Sequence, residues 1–269
     1  MPLITLTTDF GEKDPDLAFL KARIFQEVPG AQIIDITHQL TPFDTEEAVY
    51  ILKNSLNFFP KKTIHIIAFN SEITPDNQAL AIQTDNYFFL AHDNGIIPEI
   101  LGKTPFKAFK LSVPIYERML SYHIEAIKKF STDAFPTLFS EEVKELKKIN
   151  FPNPVIKYEG NKVKQIFPRV IYVDHYGNAV FNLKFDEFEQ YRQNRSFKIY
   201  TDFDIFEKLN QAYHDITANE PGGIAGKAGI HFNNFGHLEI FVNGSNQYSG
   251  GANNLLGLTK NSQIKIIFD

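Results

Sequence analysis

The chain of 269 residues has no cysteine, no tryptophan and only two methionines. Without cysteine it has no disulfide framework, no thiolate metal site and no cysteine nucleophile, which agrees with a reducing compartment. Its eight histidines do not recur at metal-ligand spacing, so no metal site is expected. No apolar run approaches the ~18 residues of a membrane span. The N-terminus enters a strand-like PLITL without a basic region or a long apolar stretch. A cytoplasmic location with no membrane partner is the expectation. Positive charge is also scarce: 27 Lys and Arg against 32 Asp and Glu leave a formal charge of −5. No overall basic field is present to gather phosphate backbones, so nucleic acid is not an expected partner. No GxGxxG follows the first strand-like segment and no GxxxxGK[ST] occurs, which leaves dinucleotide and P-loop chemistry without support.

What remains is an ordinary globular composition, 43% hydrophobic and 22% charged, with 26 Phe and 11 Tyr that serve packing and can offer flat surfaces to a planar ligand. Three early segments, LITLTT, QIIDIT and TIHIIAF, read as strands buried on both faces. Helical patterns separate them. Leu17, Leu20 and Ile24 recur along the first, with Pro15 suited to its first turn, and Asp44 with Glu47 reads as a capping box opening TEEAVYILKNSLNFF. This alternation predicts a parallel sheet with right-handed crossovers. ALAIQT and YFFLAHD then flank a hairpin turn, IIPEIL reads as a helix and AFKLSV as a strand. Helical patterns over ERMLSYHIEAIKKF and SEEVKELKKI precede a linker-like NFPNP. Beyond it lie mostly strands, with one helix near FDEFEQYRQ. The expected architecture is an α/β N-terminal domain, residues 1–152, with a mainly parallel sheet flanked by helices. A smaller β-rich C-terminal domain, barrel- or sandwich-like, follows over residues 153–269.

Ligands of parallel α/β sheets bind beyond the carboxyl ends of the strands, where loops open a crevice. Asp9, His38 and Asn70 fall at the ends of the first three predicted strands, on one rim. A carboxylate there can accept hydrogen bonds from vicinal hydroxyls of a sugar; it can equally cap the next helix or close an Asx turn with Gly11. His38 reads as a loop-holding residue, Phe43 as the first member of a hydrophobic staple, and HDNG, residues 92–95, as a turn. DHYGN, residues 174–178, joins an acid, an aromatic and an amide, and reads as a hairpin turn on Gly177 or as a binding segment.

Five segments, TTDFG (7–11), IIDITHQLTPFD (33–44), DNG (93–95), VIYVDHYGN (170–178) and FGHLEIFVN (235–243), resemble the S-adenosylmethionine hydroxide adenosyltransferase family, relatives of the fluorinases and chlorinases. They occur in family order over nearly the whole chain. The resemblance implies a homotrimer with sites where one subunit's N-terminal domain meets a neighbour's C-terminal domain. S-adenosylmethionine is its substrate or ligand, and no cofactor is implied. It also implies roles for individual residues. Asp9 takes the ribose hydroxyls, Phe43 packs beside the sugar and sulfonium, and Phe130 lines the pocket near the reacting carbon. Asp174 holds the methionine amino group, Tyr176 stacks on adenine, Asn178 and Asn243 bond substrate edges, and Asn234 contacts the methionine carboxylate. The implied reaction is displacement by water or hydroxide at the ribose C5′, giving adenosine and methionine.

The hydrolases of the family position water with an Asp, an Arg and a His, from DPGVG…R and FHGRD segments. The corresponding stretches here read NSEITPDN and FSTDA, which places Asn70, Asn77 and Ser131 at the three catalytic positions. An amide orients water but is not a base. Glu72, Asp76 and His92 are the nearby candidates for a replacement. Ser131 and Thr132 offer hydroxyls as halogenating relatives do, but Ile73 replaces the fluorinase threonine and the fluorinase insertion is missing between AIQT and YFF. The readings that follow are slow hydrolysis, binding without turnover, or halogenation. The segment after Asn243, GSNQYSGGANN, is longer than the usual family loop and implies altered ligand preference.

Overall fold

A computed structural model describes residues 1–111, 121–130, 141–216, 226–245 and 250–269. The chain divides into two compact units, Met1–Asn150 and Phe151–Asp269.

The first unit runs β1 (Leu3–Thr8), α1 (Asp16–Glu27), β2 (Gln32–Thr37), α2 (Thr45–Ser55), β3 (Ile64–Ala68), β4 (Ala79–Gln83), β5 (Phe88–His92), α3 (Ile96–Leu101), β6 (Lys107–Lys110), α4 (Ser121–Phe130) and β7 (Glu142–Val143). Its mixed sheet has the order β2-β1-β3-β5-β4-β6-β7 among the described residues. The β2-β1-β3-β5 half is parallel. The β4, β6 and β7 half extends it antiparallel. Ile4 and Leu6 of β1 and Ile64 and Ile66 of β3 pack with Leu20 and Ile24 of α1 and Ile124 and Ile127 of α4. Leu20 and Ile24, four residues apart, lie on one face of α1, which is why a single helix can cover the strands there.

Two sequence expectations need correction. QIIDIT is not buried on both faces: β2 is the sheet's edge, and Gln32, Ile34 and Asp35 are exposed. SEEVKELKKI is not a helix in its described part. Its start pairs with β6 as the short strand β7, and the Lys147 N–H donates to Asp93 Oδ1 at 2.8 Å. Ile149 then packs so closely on Gly95 that a Cβ there would lie 2.6 Å from its Cγ2. These tertiary contacts override a helical pattern worth only tenths of a kcal/mol per residue.

In the other unit, β10 (Val170–Val173), β11 (Ala179–Lys184), β15 (His237–Val242) and β14 (Ala228–Phe232) form one antiparallel sheet. A second antiparallel sheet has the order β13 (Ile205–Phe206), β12 (Phe197–Tyr200), β16 (Lys265–Phe268), β9 (Lys162–Phe167) and β8 (Val155–Glu159). Helix α5 (Phe185–Arg192) supplies Phe188, wholly buried. Its ring lies 5.2, 5.5 and 5.7 Å from those of Phe197, Phe232 and Phe268, and so touches both sheets. A 3₁₀ turn over Tyr213–Ile216 and a one-turn α6 (Ala252–Leu255) complete the described part.

Two of the buried histidines of the first unit, His65 and His92, have pKa values lowered by burial and are neutral when folded. His65 of β3 meets the Thr5 hydroxyl at 2.7 Å among Phe59, Tyr87 and Phe89, and burial lowers its pKa to about 3. Burial lowers His92, of β5, to about 4. Unfolding lets both take up a proton near the ordinary 6.5. Their contribution to stability is therefore complete above that pH and is lost as pH falls toward 4 and below, at about 1.4 kcal/mol per pH unit for each. Urea denaturation between pH 6 and pH 4.5 should give a Thr5→Val, His65→Phe double variant a pH slope flatter than the parent's by about that amount. Equal slopes would contradict this assignment.

Candidate functional site

The carboxyl ends of β1, β2 and β3 lie together because the three strands are parallel, and the rim they form is tied by named bonds. The Gly11 N–H donates to the His38 carbonyl at 2.7 Å, joining the loop after β1 to the loop after β2. Gly11 takes a φ of +70°, which a side chain would disfavour. His38 is buried. Its Nδ1 lies 3.0 Å from Thr8 Oγ1 and its Nε2 is 3.0 Å from Asp35, which also pairs with Lys21. It is a holder of loops, as expected.

Asp9 neither caps α1 nor closes an Asx turn on Gly11. Its Oδ2 accepts from the Asn70 N–H at 3.0 Å, bridging 61 positions of sequence. Its Oδ1 takes no hydrogen bond among the described residues. Asn70 holds a φ of +45° and its Oδ1 accepts from the Phe43 N–H at 3.2 Å. Asn77 directs its amide NH2 at the carbonyls of Asn70 and Glu72, at 2.8 and 2.7 Å, and so braces the loop from 70 to 77. Asp9, Phe43, Asn70 and Asn77 therefore form one connected group.

Phe43 is not a staple: it is 83% exposed with φ +67°, one residue before Asp44, whose side chain caps α2 by accepting from Glu47 N. The Glu47 carboxylate bonds the Thr41 N–H instead of closing a reciprocal box. Of the candidate bases, Glu72 and Asp76 are exposed and His92 is buried inside β5. Phe130 is buried and stacked on Phe88 at 4.8 Å. Ser131 and Thr132 lie outside the described residues.

A second constellation is built in the other unit on the hairpin turn between β10 and β11. Gly177 supplies its positive φ of +80°, and the Gly177 N–H donates to the Asp174 carbonyl. Asp174 Oδ1 accepts from the backbone N–H groups of Tyr176 and Asn178 at 2.8 and 2.9 Å, and Oδ2 from the Asn178 amide at 2.9 Å. Desolvation nevertheless holds its pKa above the ordinary aspartate value: it outweighs the bonds from Asn178 and Tyr176, and the charge of Glu239 adds to it. The Ser245 hydroxyl bonds the Val242 carbonyl at 2.7 Å and the Tyr176 carbonyl at 3.3 Å, tying the end of β15 to this turn.

Asp174, Tyr176, Asn178 and Asn243 then line a cleft of about 340 Å³, with Tyr213, Phe241 and Ser245 among its other walls. Tyr176 is 61% exposed, an open aromatic face. Asn234 is exposed in the turn between β14 and β15 and is not among the residues lining this cleft. Tyr213 escaped the sequence reading. It comes from NQAYHDI, a polar stretch with no strand or helix period, and only the 3₁₀ turn brings it to the cleft.

The described residues thus comprise an α/β unit with anchored polar residues at the ends of its parallel strands and an antiparallel unit whose cleft is lined by Asp174, and crevices at such strand ends are where α/β sheets commonly bind ligands. The fold is similar to the crystal structure of a conserved protein from Thermotoga maritima, with a TM-score of 0.79 and 21% identity, over 98% of this chain and 99% of that one. Sequence models of the SAM hydroxide adenosyltransferase N-terminal and C-terminal domains match residues 4–137 and 168–265, and the chain belongs to that family. The (R)-S-adenosyl-L-methionine hydrolase of Methanocaldococcus jannaschii is 27% identical over 199 residues, 70% of this chain and 69% of the relative. That of Salinispora arenicola is 23% identical over 288 residues, 98% of this chain and 97% of the relative.

Because a buried or half-buried N–H loses its acceptor, Asp9→Ala should lower stability by about 1–3 kcal/mol in a denaturant titration. Asp9→Asn, which keeps an oxygen for Asn70, should lose less than half of that. Equal losses would show that the Asp9–Asn70 bond does not anchor the rim.

Proposed function

We propose that this protein binds S-adenosylmethionine and hydrolyses it to adenosine and methionine. The observation that carries the reading is the pair of carboxylates, Asp9 anchored by one backbone N–H and Asp174 by two, within a chain whose two halves both match the family. The hydrolases of Methanocaldococcus jannaschii and Salinispora arenicola support the same reaction here.

In this reading the unbonded Oδ1 of Asp9 receives the ribose hydroxyls, and Phe43 covers the sugar. Asp174 pairs with the methionine ammonium, while Tyr176 lies against the base and Asn178 holds Asp174 in place. Asn243 is assigned to a substrate edge, Asn234, outside the cleft of its own unit, to the methionine carboxylate, and Phe130, Ser131 and Thr132 to the surroundings of the reacting carbon. The oxygen of a hydroxide ion, formed from water in bulk solvent, bonds to C5′ as the C5′–sulfur bond breaks. The bonding pair leaves on sulfur, neutralising the sulfonium, and no proton is transferred at the site. The leaving group needs no proton, so the chain's task is to place and partly desolvate the nucleophile.

Asn70 presents its carbonyl oxygen to Phe43, which leaves its NH2 as the group that can orient water. Neither it nor Asn77 is a base, and the rate is slow for want of one: a general base commonly contributes ~10²- to 10⁴-fold. Hydroxide from solvent takes its place. The same proposal includes assembly as a homotrimer, with the two constellations of neighbouring chains serving one ligand.

Chromatography of S-adenosylmethionine incubated with the protein should show adenosine and methionine in equal amounts, with an initial rate that rises about tenfold per pH unit from pH 7 to pH 9, as hydroxide does. A ligand-induced thermal shift without product would refute hydrolysis. A bell-shaped profile would show that the chain supplies a base after all. Sedimentation should give a particle three times the 30.8 kDa of the chain; a monomer would refute the assembly.

A further inference from the structure

Behind the cleft of the second unit sits a carboxylate that the proposed reaction does not use. Glu239, on β15, is 2% exposed. Its Oε1 accepts from the Tyr213 hydroxyl at 2.7 Å and faces His231 Nε2 at 3.1 Å, while its Oε2 accepts from the Asn233 amide at 3.0 Å. Burial alone would raise its pKa, but the bonds from His231, Tyr213 and Asn233 outweigh it and hold Glu239 below the ordinary glutamate value. No lysine or arginine pairs with it among the described residues; His231 is its one charge-capable partner.

Burying such a group is expensive when hydrophobic residues of the same volume would fill the space. The network has two effects on the cleft. The first is mechanical. Tyr213 lines the cleft while its hydroxyl is pinned from behind, and its ring is wedged against His231 and Phe241 at 4.6 and 4.8 Å, so this wall is rigid although the residue is 47% exposed. The second is electrostatic. Asp174 lines the same cleft, Glu239 lies one hydrogen bond behind its Tyr213 wall, and the charge of Glu239 adds to the raised proton affinity of Asp174. A cleft with one carboxylate on its wall and a second buried behind it favours a cation over a neutral analogue of the same shape.

We infer that Glu239 and Tyr213 are specificity-determining residues: Glu239 positions the Tyr213 wall and supplies a second negative charge that makes the cleft prefer a sulfonium nucleoside over its neutral thioether. This rests on the reading that the cleft takes part of S-adenosylmethionine. Neither residue touches the reacting atoms.

S-adenosylmethionine and S-adenosylhomocysteine share the nucleoside, the ammonium and the carboxylate and differ by the methyl group that makes sulfur cationic, so their affinity ratio reports the field at sulfur. Isothermal titration of the parent should find the sulfonium bound about tenfold more tightly, the order expected for one charge acting at under a nanometre in a screened protein medium. Glu239→Gln, which preserves shape and an acceptor for Tyr213, should reduce that ratio by about threefold or more, leaving the part that Asp174 supplies, while adenosine affinity stays unchanged. Tyr213→Ala should weaken both ligands alike. A purely structural Glu239 would lower both affinities and leave the ratio intact. That result overturns the inference, and equal binding of the two ligands by the parent overturns it even if the Gln variant does not fold. If the parent binds neither these ligands nor adenosine, the underlying reading of the cleft falls, and the inference with it.

Discussion

The rim of the first unit depends on one hydrogen bond, from the Asn70 N–H to the Asp9 carboxylate. Parallel pairing carries β1 and β3 to the same edge of the sheet, but pairing ends at Thr8 and Ala68, and the chain beyond is free to diverge. The bond closes that gap. It puts Asn70 in the left-handed region, turns the Asn70 side chain onto the Phe43 backbone, and leaves the Asn70 carbonyl to Asn77. A charge-assisted bond of this kind contributes on the order of 1.5–3 kcal/mol, enough to offset the strain of one non-glycine residue at positive φ. With it, residues 9, 43, 70 and 77 are a single unit of geometry.

The second unit reaches the same end by a different route. Its turn uses backbone N–H groups of its own residues to fix Asp174, so the carboxylate is aimed locally and needs no distant strand. Close backbone approach stiffens it further. Gly251 lies so near that a Cβ there would be 2.8 Å from Gly177 Cα, and the Asn253 N–H donates to the Gly177 carbonyl at 3.0 Å. Both units thus present an acid whose position is set by amide donors. The first anchor has one oxygen unbonded among the described residues; the second feels the charge of a further buried acid, Glu239. In the proposed function Asp9 accepts a diol and Asp174 a cation, and the two acids differ in the way those tasks require.

Much of the order of elements could be read from the residues because apolar periodicity is a local property. The strands β1 and β3, the helices α1 and α2 and the hairpin turn at Gly177 all follow from spacing that a few neighbouring residues define. What could not be read depends on partners far along the chain. QIIDIT has the composition of a central strand and lies at an edge. SEEVKELKKI has a helical period, but Asp93 and Gly95 hold its second half as irregular chain. Among the polar residues, Asp9, Asp174 and Tyr176 stood out because each follows an apolar run at a strand end. Tyr213 and Glu239 did not. One is in an irregular stretch, and the other looks like an ordinary polar position in a strand whose opposite face is buried.

The account's central claim is that Asp9 is held at the rim in order to receive a sugar. A crystal structure of the protein with adenosine tests it directly. The account predicts both ribose hydroxyls within about 3 Å of the Asp9 carboxylate, with the Asn70 N–H still bonded to Oδ2. A nucleoside found elsewhere on the protein, with Asp9 facing only solvent, would contradict it.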